Sequence, residues 1–152
     1  MYKSKHFNKS EFHLYDDMNP FIIFILDKLR EKVSVFYDCS FNIISSNEVY
    51  HKHNSKSKHY QNLAVDFWIN FKDKTKNKKY YATTKLIDLC LKMLHFSEDV
   101  GFGCYINDKG YMSFHLDYSN GYKRRWMAIG KTENKWNYER YNLDLLEHIK
   151  FD

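Results

Sequence analysis

Four side chains stand out because their neighbours are wrong for them. His59 ends the polar stretch "SKH" (57–59), and Asp66 follows seven residues later inside the apolar run "AVDFWIN". Further along, "YMSFHLDY" carries His115 and Asp117 two positions apart. A carboxylate in an apolar strand is costly to bury unless it is paired or bound to a cation. Two histidines and one aspartate, with water completing a tetrahedron, form a ligand set suited to catalytic zinc. Taken singly, the same residues also read as satisfied structural groups, a loop histidine and a hydrogen-bonded strand aspartate.

Positions i and i+7 span two helical turns, about 10 Å of rise, so His59 and Asp66 cannot meet on one helix face. Fully extended, they would stand roughly 20 Å apart or more. They reach one ion only if the chain doubles back between them, and Asn62 is among the few non-glycine types that tolerate the positive φ of such a turn. On the later strand, period-two alternation puts Ser113, His115 and Asp117 on one face and Phe114 and Leu116 on the other.

The elements that must position these groups are legible in outline. "NPFIIFILDKLREK" (19–32) opens with Asn19 as a cap and Pro20 at the first helical position. "VSVFYD" (33–38) and "FNIIS" (41–45), rich in β-branched and aromatic residues, read as strands. Residues 46–63 read as a polar loop, in which His51 and His53 are expected to be solvated, and 64–70 as a strand. "TTKLIDLCLKMLHF" (83–96) has helical spacing behind a threonine cap, with His95 at its end in a capping or dipole role. "GFGCYIND" and "KGYMSFHLDY" read as a hairpin around an Asn-Asp-Lys-Gly turn, with Tyr105 and Tyr111 lining it. A further strand is expected over 122–130 and a terminal helix over 142–150. Helices and strands segregate, so the expected class is α+β, a mostly antiparallel central sheet with helices on one side, in a single domain over 1–152.

Bulk properties narrow the field. Hydrophobic residues at 43% and charged residues at 28% fit a folded domain rather than a disordered chain. A net charge of +5 is compatible with an anionic polymer as partner, while the basic stretch 72–81 reads as a solvated loop. No recognised nucleic-acid motif accompanies the charge, so no nucleic-acid partner is expected. No apolar run reaches 18 residues, so membrane insertion is not expected either, and "FIIFIL" (21–26) is too short for a signal-peptide core. The chain is expected to be made in the cytoplasm without a signal peptide. Three cysteines (39, 90, 104) without a C-x-x-C pattern are expected to be reduced.

The pattern "S-x-H-x(6)-D" over Ser57, His59 and Asp66, followed by "GFGCY", "GYMSFHLDY" and "RRW", resembles the M15 group of zinc peptidases. That group includes D-alanyl-D-alanine carboxypeptidases and the L-alanyl-D-glutamate endopeptidases of phage lysins, and its fold is related to that of hedgehog signalling domains. The resemblance covers roughly residues 6 to 130, with the opening helix included. It implies His59, Asp66 and His115 as zinc ligands and hydrolysis of peptide bonds in peptidoglycan stem peptides. It further implies a monomer that acts at the cell wall after release, in phage lysis or from a virion. Ser57, Arg125 and Trp126 are the implied substrate contacts, although packing under the site is the first reading of Trp126. Asp117 is the candidate general base or, alternatively, the orienter of His115.

Three departures from the group's pattern bear on activity. Its turn glycine is Asn62 here, and its Ser-Gly-Tyr-Arg stretch reads Ser45-Ser46-Asn47-Glu48, an acid in place of a substrate-holding arginine. Three outcomes stay open: activity is lost, the substrate differs, or Arg124 or Arg125 fills the role. Some relatives also place a glutamate three residues before the last ligand, where this chain has Met112. A catalytically degenerate relative that binds cell wall or a protein partner is the alternative reading.

Overall fold

The computed structural model describes residues 2–46, 56–72, 76–107, 112–132 and 135–141. Two short 3-10 turns, Lys9–Glu11 and Tyr15–Asp17, lead into helix α1, Pro20–Phe36. Asn19 caps α1 as expected, its side chain accepting from Phe21 N–H, with Pro20 at the first position. Residues 33–36 of the strand expected over 33–38 are instead the last turn of this helix. Ile22, Leu26, Leu29 and Val33 form one fully buried stripe at helical spacing. Burial of Val33 in that phase outweighs the strand preference of its β-branched neighbours. The helix stops at Tyr37, which turns to extended backbone.

Strands β1 (Cys39–Ser45) and β2 (Ala64–Phe71) follow, then helix α2 (Lys76–Met93). The helix begins well before the expected threonine cap. Residues 76–81, read as loop, are helical, which their lack of glycine and proline permits, and Thr83 and Thr84 are buried in the helix interior. A left-handed His95 closes α2, with Phe96 N–H donating to the Leu91 carbonyl.

Strands β3 (Val100–Asn107) and β4 (Met112–Tyr118) form the expected antiparallel hairpin. Strand β5 (Arg125–Thr132) lies parallel to β3, and β6 (Lys135–Arg140), which the sequence reading missed, completes a sheet of order β1-β2-β4-β3-β5-β6. Four of the five pairings are antiparallel, so the class is α+β with a mixed, mostly antiparallel sheet. The His51 and His53 loop, Glu48, Tyr111, the hairpin turn and the terminal helix expected over 142–150 lie outside the described residues.

The two sheet faces differ in kind. Both helices share one apolar cluster with Phe67, Phe114 and Leu116. Thr84 of α2 meets Met112, and Phe21 of α1 packs its ring against Tyr118. The helices therefore cover the even-numbered face of β4. His115 and Asp117 point the other way, onto the face that carries the candidate site.

Candidate metal centre

His59 arrives on a tight turn. Leu63 N–H donates to the Lys58 carbonyl at 2.9 Å and Asn62 N–H to the His59 carbonyl at 3.1 Å, the paired bonds that close a helical turn. Asn62 takes the left-handed conformation, φ 58°, that the sequence requires of it. The chain doubles back there and enters β2, where Asp66 lies directly across from His115 of β4. The helix α1 is tied to the same turn, because Asn19 N–H donates to the Asn62 carbonyl at 2.9 Å.

The three expected ligands converge. Donor atoms of His59, Asp66 and His115 all lie within 4.8 Å of one another. Nε2 of His59 is 3.4 Å from Asp66 Oδ2, and Nδ1 of His115 is 2.7 Å from Asp66 Oδ1. Two donors tetrahedrally bound to zinc at 2.0–2.2 Å stand roughly 3.4 Å apart, so the cluster needs little adjustment to take an ion. Both histidines are nearly buried, at 3% and 8% exposure.

Hydrogen bonds behind the rings aim them. Nδ1 of His59 lies 2.6 Å from the Ser46 carbonyl, which can only accept, so the proton sits there and Nε2 faces the aspartate. His115 has Nε2 at 3.1 Å from Asp117 Oδ2, which assigns the Nε2 proton to that bond and turns Nδ1 toward Asp66. This is the carboxylate–histidine arrangement that fixes the tautomer of a metal ligand. Asp117 is fully buried and its other oxygen accepts from Arg124 Nη2 at 2.6 Å.

The charges agree with this geometry. Burial alone would strip the proton from His115, but Asp66 and Asp117 on either side outweigh it and push the pKa up to about 9. Burial likewise opposes ionisation of Asp66, and His115 and His59 overcome it, holding the carboxyl well below its usual range. Asp117 is held low against its own burial by His115 and Arg124. Two carboxylates thus face an imidazolium whose Nδ1 proton occupies the place a divalent cation would take.

Gly101 and Gly103 explain the "GFGCY" motif. They lie across from Asp117 and His115 on the site face. A Cβ at Gly101 would collide with the Asp117 carboxylate, and one at Gly103 would collide with the Trp126 indole. Trp126 can therefore lie across β3, its ring 5.4 Å from that of His115.

The remaining expected contacts divide. Ser57 shapes the approach to the ligand turn, its hydroxyl accepting from His59 N–H at 3.3 Å. Trp126 is at the site. Arg125 is not beside the triad: it alternates to the helix side, donating to Asp88 at 2.8 Å and to the Val100 carbonyl at 2.6 Å. Arg124 reaches the site in its place, through Asp117. Met112 also faces the helices, buried at 4% exposure. Trp136, Tyr138 and Arg140 of β6 were missed, although their alternation in "WNYER" is a period-two strand signal.

No protein-family profile matches the chain, and neither curated proteins nor solved structures give a significant match.

Proposed function

We propose that this protein is a zinc-dependent peptidase that hydrolyses peptide bonds in peptidoglycan stem peptides, with an architecture like that of the M15 and hedgehog-related zinc domains. The observation that carries this reading is the convergence of His59, Asp66 and His115, with both imidazoles aimed by acceptors behind them. Two nitrogen donors and one carboxylate favour zinc over magnesium or calcium, which prefer all-oxygen sites. Zinc held there supplies Lewis-acid polarisation and a source of hydroxide at neutral pH. The chain's own part is to hold the ligands in register and to fix the His115 tautomer through Asp117. Asp117 serves as a positioning residue: His115 and Arg124 already engage both of its oxygens. Release to the cell wall during phage lysis, action as a monomer and a stem-peptide substrate all belong to this proposal. Zinc analysis of the purified protein together with turnover of purified peptidoglycan tests it. Stoichiometric zinc without cleaved stem peptides would remove the enzyme reading.

A second reading is favoured by Met112. The position where some relatives carry a glutamate base is apolar here and faces the helices, which suits a metal-bearing protein that binds cell wall or a protein partner without cutting. Co-sedimentation with intact peptidoglycan in the absence of released peptides distinguishes it.

A further inference from the structure

The sheet register sets one continuous row on the site face: Asp66, His115, Gly103, Trp126 and Arg140 are successive cross-strand partners from β2 to β6. Beside that row the rings of Tyr105, Trp126, Trp136 and Tyr138 form one contacting group. Tyr105 lies 5.0 Å from Trp126 and 5.1 Å from Trp136, and Trp126 lies 5.5 Å from Tyr138. Interplanar angles of 57° to 76° make these rings a cup rather than a flat platform. Tyr138 remains 65% exposed, a large aromatic surface left open beside a candidate catalytic centre. Arg140 is exposed and shares the face of Trp136 and Tyr138, four and two positions before it on β6.

We infer that this cup and Arg140 form a specificity subsite that recognises a carboxylate-bearing segment of the peptide substrate on the β6 side of the metal centre. The inference rests on the peptidase reading for the identity of the substrate. From β4 to β6 is three strand spacings, about 14 Å. An extended peptide covers that distance in about four residues, fewer when the long arginine side chain reaches inward. Arg124, on the same face, is bonded to Asp117, whereas Arg140 has no ion pair among the described residues and is placed to pair with substrate. Its planar fork matches a carboxylate in two parallel bonds, and the rings beneath supply apolar contact to the intervening backbone and side chains. The substrate acid therefore lies about two to four residues from the bond at the triad.

Tryptophan fluorescence tests this on the full-length, zinc-loaded protein. The probes are the synthetic stem pentapeptide L-Ala-γ-D-Glu-L-Lys-D-Ala-D-Ala, its fully amidated form, and a peptide-free glycan strand. Zinc content and peptide integrity are read on the same samples. The wild type is expected to bind the free acid about tenfold tighter than the amide. Arg140→Gln should erase that preference, Arg140→Lys should keep part of it, and Tyr138→Ala should weaken both peptides alike. Equal binding of acid and amide by the wild type, or an unchanged preference in Arg140→Gln, overturns the subsite. So does glycan binding as tight as that of the acid peptide. Charge-selective binding without cleavage retains the subsite and removes the peptidase reading, so the two failures are distinct.

Discussion

Asp66 and His115 face each other across β2 and β4 as direct strand partners, with Oδ1 and Nδ1 2.7 Å apart. The contact places a carboxylate and an imidazole where one ion can bridge them. Because side chains alternate along a strand, a one-residue slip in either strand would turn one of them onto the helix face.

The first prediction follows from that contact. Purified protein should hold close to one zinc per chain, and Asp66→Asn, which keeps the shape and removes the charge, should lose it. Zinc at about a thousandfold excess over its dissociation constant should stabilise the wild type by about 4 kcal/mol. A thermal scan with and without chelator measures this, and the shift should vanish in Asp66→Asn.

Metal binding and protonation should oppose each other at His115. In chelator-treated protein the imidazolium has a pKa of about 9, raised above its ordinary value by Asp66 and Asp117. Its contribution to stability is fully present below the unfolded-state pKa of about 6.5 and is lost as pH rises through about 9. Zinc must displace that proton, so affinity should climb over the same interval. Calorimetric titrations from pH 6 to 9 should show proton release that shrinks toward the upper end.

Asp117→Asn separates positioning from base catalysis. A positioning role predicts zinc affinity lower by about 10- to 100-fold, with the fold intact by circular dichroism. Unchanged zinc affinity with lost turnover would return Asp117 to the role of base.

Gly103→Ala should disturb the site without touching a ligand. The added methyl collides with the Trp126 indole, and relieving such overlap typically costs about 1–3 kcal/mol. A lower melting temperature together with a shifted tryptophan emission maximum is the expected signature.

On the helix side, Asp88 accepts from Arg125 and pairs with Lys92. Burial works to raise its carboxyl, and the two cations hold it below its usual value. That stabilisation exists above the ordinary carboxylate pKa and is lost as pH falls through the depressed folded value. Asp88→Asn should therefore flatten the acid limb of the stability curve. At neutral pH it should cost about 2–3 kcal/mol, because the largely buried Arg125 loses its charged partner.

Sequence pattern exposed the site better than it exposed the frame around it. His59, Asn62, Asp66 and His115 were legible because each breaks a local rule, a polar group in an apolar run or a residue able to turn left-handed. Alternation then put Asp117 on the face of His115. The pattern could not distribute the two arginines: adjacent residues of an extended chain face opposite ways, and the strand start decides which of Arg124 and Arg125 turns toward Asp117. It failed at Val33–Phe36, where local preference for strand yields to burial along a helix. The β3–β5 pairing escaped as well, since a parallel neighbour leaves no turn signal between its strands.

The bond from Asn19 to Asn62 joins the first turn of α1 to the turn that presents His59. Opening the ligand turn must break this bond, so the helix start and the turn are expected to be coupled in local unfolding. Occupancy of the metal centre would then be visible far from the metal, as slowed amide exchange at Phe21 and Ile22, whose N–H groups bond to Asn19. The helix beneath the sheet becomes a reporter of what is bound on top of it.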